Sequence, residues 1–335
     1  MKKKRIILCT VIPLALVLFF FVIPLALSVI INNALFKKRS EINTDMKLST
    51  SDFSNLLCED VTFNSNKNEE LHGYLYSSDT LTPKGVVVYA HGYNAGGSNS
   101  TMMFANYFVS NDYYYFTYDI TANGLSEGNN QRGLVQGVLD LDKAISCVKT
   151  MDKTKDKPIM LLGHSWGGYS VGAVLKMHPD VRAVCSLAGF NSALDLMASN
   201  ARKKVGSFLT NASLPYLKIY ENWVFGKNYK LNAIDGFKNS NCKVLIMHST
   251  DDNIIDMDYG YNKYYKEFKD DSRFKFVKYE NKKHGFMFLN DDARVMVENY
   301  YDNKGSFDKS LYINGLDLDM FNEILELYNN SLNNS

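Results

Sequence analysis

Five residues constrain this chain more than any others. Gly163, His164, Ser165, Trp166 and Gly167 read Gly-x-Ser-x-Gly, between an apolar run at 158–162 and a helix-compatible stretch at 168–177. A serine on a sharp strand-to-helix turn needs a glycine on each side, because a Cβ at either flank would collide with neighbouring backbone. The flanking strand and helix are both present in the sequence, so the pentapeptide reads as a nucleophile elbow and not as an ordinary glycine-rich turn.

The surrounding pattern predicts what carries the elbow. Continuous apolar runs at 86–89, 113–118, 159–162, 181–187, 244–247 and 274–279 alternate with helical stretches. Strands covered by helices on both faces lose the alternation of half-exposed strands, so this rhythm predicts an α/β fold with a doubly wound, mainly parallel sheet. Residues 61–63 and 71–76 do alternate, around a polar loop, and predict an opening antiparallel hairpin. Between about 190 and 238 the rhythm stops. So long a structureless loop is unusual in a compact domain, so this insertion should carry helices of its own. Its apolar Leu194, Leu196, Phe208, Leu209, Trp223 and Phe225 suit a lid, or an insertion that merely packs on the sheet. A terminal amphipathic helix is expected over 316–328, inside a C-terminal segment 303–335 that ends in an Asn-rich tail.

Serine is a weak nucleophile that needs a base to take its proton and a carboxylate to fix the tautomer of that base. In elbow proteins the chain order is serine, acid, histidine. Asp251 and Asp252 follow the run at 244–247, where a strand should end and where catalytic groups gather in open α/β sheets. His284 follows the last run, precedes Gly285, and alone among the six histidines has this order and place. The spacing by itself leaves Asp251 and Asp252 both open as the acid. Charge developing on a substrate carbonyl needs preorganised N–H donors. One is the backbone N–H of Trp166, and the other is assigned to Tyr93 in the flexible turn 91–97. His91 reads as a residue that holds this turn, and His164 as structural, with its side chain directed away from the serine.

His91-Gly92-Tyr93, Asp119 with the Gly-Leu-Ser-Glu-Gly of 124–128, the elbow, Asp252 and His284-Gly285 together resemble the α/β-hydrolase superfamily. Within it the chain is similar to the serine aminopeptidase S33 and monoacylglycerol lipase-like hydrolases, over residues 57–302. The resemblance implies an α/β-hydrolase fold. Its His-Gly-x-x-Asp-x-x-Val pattern, which His248-Ser-Thr-Asp-Asp252-Asn-Ile-Ile255 resembles, selects Asp252 as the acid and leaves Asp251 as a solvated neighbour or a cap. The Asp119 segment departs from the family's Asp-x-x-Gly-x-Gly-x-Ser loop at Asn123, where glycine is frequent, and at Leu125, where a small or polar residue is common.

The N-terminus is a different material. Basic residues fill 2–5, and 6–31 follow without a single charge. As a helix this run would reach about 39 Å, longer than the roughly 30 Å of a bilayer core, so it predicts a transmembrane signal-anchor over 6–31 and a polar tether over 32–56. Residues 26–28 offer an alternative cleavage site that would release a secreted form. Four basic residues before the run against three at 37–39 favour a cytoplasmic N-terminus and an external domain. With 37 basic and 36 acidic residues, the net charge of +1 gives no reason to expect a nucleic-acid partner. Five scattered cysteines read as buried small hydrophobes, with no disulfide framework and no zinc site.

These readings converge on a membrane-anchored serine hydrolase of carboxylic esters, with acyl or lipid-like substrates and without a cofactor or metal. Aminopeptidase- or amidase-type cleavage would use the same triad but would call for an acidic site facing a free α-amine, which the sequence does not reveal. A non-enzymatic binding protein on the same fold is the other class, but such proteins commonly lose the serine, the acid or the histidine, and all three are present.

Overall fold

The computed structural model describes residues 10–40, 44–80, 82–93 and 98–333. The basic segment 1–5, residues 94–97 of the turn after the first apolar run, and the end of the Asn-rich tail lie outside the described residues. Helices α1 (Ile12–Val17) and α2 (Ile23–Phe36) precede β1 (Leu57–Asn64), β2 (Glu70–Ser77) and β3 (Gly85–Ala90). The chain continues through α3 (Met102–Val109), β4 (Tyr113–Tyr118), α4 (Val135–Val148), β5 (Ile159–His164), α5 (Trp166–Ala173) and β6 (Ala183–Leu187). It closes with α6 (Ala193–Phe225), α7 (Ala233–Lys238), β7 (Lys243–Ser249), α8 (Tyr261–Phe268), β8 (Phe274–Tyr279), α9 (Asp291–Asn303), α10 (Lys309–Ile313) and α11 (Leu318–Leu332).

The strands form one eight-stranded sheet in the order β1-β2-β4-β3-β5-β6-β7-β8. β1 and β2 make the expected antiparallel hairpin, with Asn64 opposite Glu70, and β2 pairs antiparallel with β4. From β4 to β8 every pairing is parallel. The reason for the unbroken apolar runs is visible in β3. Val86 and Val88 face a layer that includes α4, α5, α7 and α8, while Val87 and Tyr89 face a layer that includes α3, α9 and α11. Both faces are therefore core, and burying each such side chain contributes about 1.5–3 kcal/mol.

The last helix belongs to this core. Met320, Phe321, Ile324 and Tyr328 are buried, and the Tyr328 hydroxyl donates to the Leu161 carbonyl of β5 at 2.9 Å. The folded unit thus runs beyond 302 to the end of α11. The cysteines follow the expectation only in part: Cys185 and Cys242 are buried, but Cys58 is exposed on edge strand β1.

The N-terminal region differs from its expected form in two ways. Among the described residues no helix is long and apolar enough to cross a membrane, because the π-helical turn Leu18–Val22 separates α1 from α2. Pro24, at the start of α2, lacks the N–H that would bond four residues back, which favours such a widened turn. The described residues of 32–56, a stretch expected as a tether, are packed on the domain instead. Phe36, Met46, Leu48 and Leu56 are buried. A segment without apolar periodicity can still be held by backbone bonds, and Ser40 donates to Ala122 O and accepts from Gly124 N, both at 3.2 Å.

The insertion is helical, as expected. α6 is broken at Gly206, whose φ of 81° and ψ of 165° divide it into two arms. An antiparallel bridge between Ser192 and Asn232 closes its base. Ala193, Leu196, Tyr220 and Phe225 pack inward, whereas Phe208 is 85% and Trp223 78% exposed. The insertion therefore combines both expectations, one face packed and the other presented outward.

Candidate active site

The elbow is built as its glycines demand. Ser165 lies at the C-terminal end of β5 with φ 57° and ψ −112°, a region that a residue with a side chain occupies only when its surroundings hold it there. A Cβ on Gly163 would overlap the Gly167 carbonyl, and one on Gly167 would overlap that of Ala90. The Ser165 N–H donates to Leu187 O at 2.8 Å, fixing the turn to β6.

The three residues singled out in the sequence meet here. Ser165 Oγ donates to His284 Nε2 at 2.8 Å, and His284 Nδ1 donates to Asp252 Oδ2 at 2.7 Å. His284 is brought in by the loop after β8, and Asp252 by the loop after β7. The Asp252 side chain is fully buried. Burial works to raise its pKa, but hydrogen bonds from His248, His284 and the Ile255 N–H outweigh it and hold the carboxyl far below the usual range. It is the ionised partner that a histidine base requires.

Asp251 points elsewhere. Its Oδ1 accepts from the Ser249 hydroxyl at 2.5 Å and from the Lys283 N–H at 3.1 Å, so it braces the histidine loop from outside the relay. Two histidines contribute in ways that the sequence reading missed. His248 Nε2 lies 3.0 Å from Asp252 Oδ2 and 2.9 Å from Ile255 O, giving the acid a second imidazole donor; its position four residues before Asp252 was the available signal. His164 is structural, as expected, but its Nε2 donates to the His284 carbonyl at 2.8 Å. Burial and the neighbouring His284 lower its pKa to about 3, so it remains neutral.

The two assigned oxyanion donors flank the serine. Trp166 opens α5, where a first-turn N–H has no partner within the helix. Its ring is locked by Nε1 donating to Leu134 O at 2.6 Å. Tyr93 follows Gly92, where an added Cβ would lie 3.4 Å from Ser165 Cβ. The Tyr93 ring lies 6.0 Å from that of Trp166, and its hydroxyl donates to Leu35 O. His91 holds the turn, as expected. Ile120 N donates to its Nε2 at 3.3 Å, which leaves Nδ1 to donate to Gly92 O at 2.8 Å.

The Asp119 loop explains its own departures from the family pattern. Asp119 Oδ2 accepts from Leu125 N at 2.9 Å and from the Tyr74 hydroxyl at 3.1 Å. Gly124 has φ 47°, and a Cβ there would overlap this carboxylate, so the indispensable glycine is present. Counted from Asp119, however, the first glycine of that pattern falls at Ala122 and not at Asn123, and Ala122 takes a φ of 62°, so this departure carries a backbone cost, whereas Leu125 is 66% exposed and meets no obstacle.

On the lid side, Glu221 of α6 is buried, and among the described residues neither of its carboxylate oxygens has a hydrogen-bond partner. Burial raises its pKa to about 7. Among the described residues no group of three or more His, Cys, Asp or Glu side chains could hold a metal ion.

Residues 82–239 match the sequence model of the serine aminopeptidase S33 family. That span covers β3, the elbow and the lid, and stops before Asp252 and His284. No curated protein has a matching sequence. Among solved structures, an esterase from Pyrococcus furiosus is similar with a TM-score of 0.58 and 15% identity, over 80% of this chain and 96% of that one. An acylaminoacyl peptidase from Pyrococcus horikoshii gives 0.54 and 19% identity, over 79% of this chain and 45% of that one. A puromycin-hydrolysing peptidase from Mycobacterium tuberculosis gives 0.53 and 16% identity, over 69% of this chain and 36% of that one.

Proposed function

We propose, for a chain that is a serine hydrolase with the α/β-hydrolase fold, that its substrates are carboxylic esters with acyl or lipid-like groups. The unbroken relay from Ser165 through His284 to the buried Asp252 carries the hydrolytic chemistry, and the exposed Phe208 and Trp223 of α6 favour acyl esters as its substrates. In this reading Ser165 Oγ attacks the ester carbonyl carbon as His284 Nε2 takes its proton. The backbone N–H groups of Trp166 and Tyr93 meet the oxyanion. Collapse expels the alcohol, which carries away the proton held by His284, and leaves an acyl group on Ser165. Water, deprotonated by the same imidazole, then releases the acid. The outward apolar face of α6 suits such substrates.

The same reading puts the apolar N-terminal helices in a bilayer, with Leu14, Phe19, Phe21 and Ile30 exposed to it. The excess of basic residues before them puts the domain outside the cell; a secreted form cut near 26–28 is the alternative.

Hydrolysis of peptide or amide bonds has one observation in its favour. Glu221, on the lid helix, is an acidic side chain that is 1% exposed and has no hydrogen-bond partner among the described residues, and its charge would be paired by a substrate α-amine that reached it.

A fluorophosphonate probe tests the assignment of the nucleophile. It is expected to label the wild-type chain and not Ser165→Ala, and equal labelling of both would remove Ser165 from this role. Turnover of p-nitrophenyl esters against aminoacyl amides, measured on the full chain, separates the two substrate classes.

A further inference from the structure

The last turn of α2 ends inside the frame of the active site. A helix leaves its final carbonyls without partners of its own, and here the catalytic domain supplies them: Leu35 O accepts from the Tyr93 hydroxyl, and Phe36 O accepts from Gln131 N at 2.8 Å. The Phe36 ring is buried and meets the Tyr93 ring edge-on at 5.8 Å. One turn earlier, Asn32 Nδ2 donates to Arg132 O at 2.8 Å and lies 3.0 Å from the Tyr220 hydroxyl of the lid helix. Beyond the helix, the Arg39 guanidinium reaches the carbonyls of Gly124, Ser126 and Gly128 at 2.6–2.9 Å. Residues 32–40 are thus fastened to the loop 120–134, and the far end of that loop holds the Trp166 ring through Leu134 O.

Both assigned oxyanion donors therefore have side chains anchored to this assembly, Tyr93 directly at the helix end and Trp166 through the loop that the helix end fastens. The Tyr93 side chain is 40% exposed, and the helix end supplies both its hydroxyl acceptor and a ring contact, beside the ring of Trp166. We propose that Leu35 and Phe36 at the end of α2 are positioning residues for Tyr93, so that the N-terminal helix is a working part of the oxyanion site as well as an anchor. This rests on the reading of the Tyr93 N–H as an oxyanion donor. Loss of one such donor costs about 10²–10³ in kcat, and a donor that is misplaced instead of lost should cost part of that.

The test uses the full chain in detergent, with Tyr93→Phe, which keeps the backbone N–H and removes only the hydroxyl, and with Phe36→Ala. Active sites are counted by fluorophosphonate titration, so that misfolded protein is excluded from kcat. Both variants are expected to lower kcat per titrated site about tenfold or more, with KM within about twofold, and the double variant to lose less than the product of the two. Wild-type kcat per titrated site in both single variants would overturn the proposal, as would a change confined to the number of titratable sites. If Ser165→Ala still labels, the underlying assignment has failed; if it does not label while Tyr93→Phe and Phe36→Ala keep full kcat, only the positioning role has.

Discussion

At the scale of single residues, neighbouring Asp251 and Asp252 have different tasks. Asp252 is buried, accepts from two imidazoles and stays ionised; Asp251 binds a hydroxyl and a backbone N–H at the surface. Asp252→Asn leaves the shape intact but cannot hold His284 in the tautomer that accepts from serine, and in a Ser-His-Asp triad this change costs about 10⁴ in kcat. Asp251→Asn keeps an acceptor for Lys283 and should cost less than tenfold. Steady-state rates on one p-nitrophenyl ester check both, and the reverse ranking would transfer the role to Asp251. The elbow was legible because its requirement is steric and local: no side chain fits at 163 or 167 whatever surrounds the turn. The bond from His164 to the His284 carbonyl was not legible, because it joins residues far apart in sequence through an atom that every residue possesses.

At the scale of elements, the lid helix carries an unusual electrostatic cost. Glu221 has no hydrogen-bond partner among the described residues, and Tyr169 lies close enough for its own pKa to be raised further by this carboxylate. Its folded pKa of about 7 stands above the ordinary 4.5, so between these values the unfolded chain gives up the proton that the folded chain keeps. Stability attributable to this group is therefore full below pH 4.5, falls as pH rises to 7, and is level above that. The total is on the order of 3 kcal/mol. Asp140, raised to about 6 by burial, slopes the same way, so the informative quantity is the difference between wild type and Glu221→Gln. The variant is expected to gain melting temperature on wild type between pH 5 and 7.5, and parallel curves would show that Glu221 ionises without penalty. The strands were legible because a double cover of helices erases alternation along the whole run. The break at Gly206 was not, since glycine also occurs in ordinary loops and only the fold shows that this one takes φ 81°.

At the scale of the whole molecule, the apolar N-terminus and the catalytic domain are one assembly. If the proposed anchoring holds, the full chain should stay with the membrane fraction through an alkaline carbonate wash, and complete release into the supernatant would reduce the helices to a surface contact. The region 32–56 was misread because a flexible linker and a segment held by its backbone have the same polar, aperiodic composition. Arg39 shows what separates them, a single guanidinium closing on three carbonyls that composition cannot predict. A free linker of that length would let the active site sample a radius of about 25–30 Å above the bilayer. On the proposed anchoring, the clamp at Arg39 would instead hold the nucleophile at one height and one orientation over the lipid surface, so that the enzyme would search a plane rather than a volume and lateral diffusion in the membrane would set what it meets.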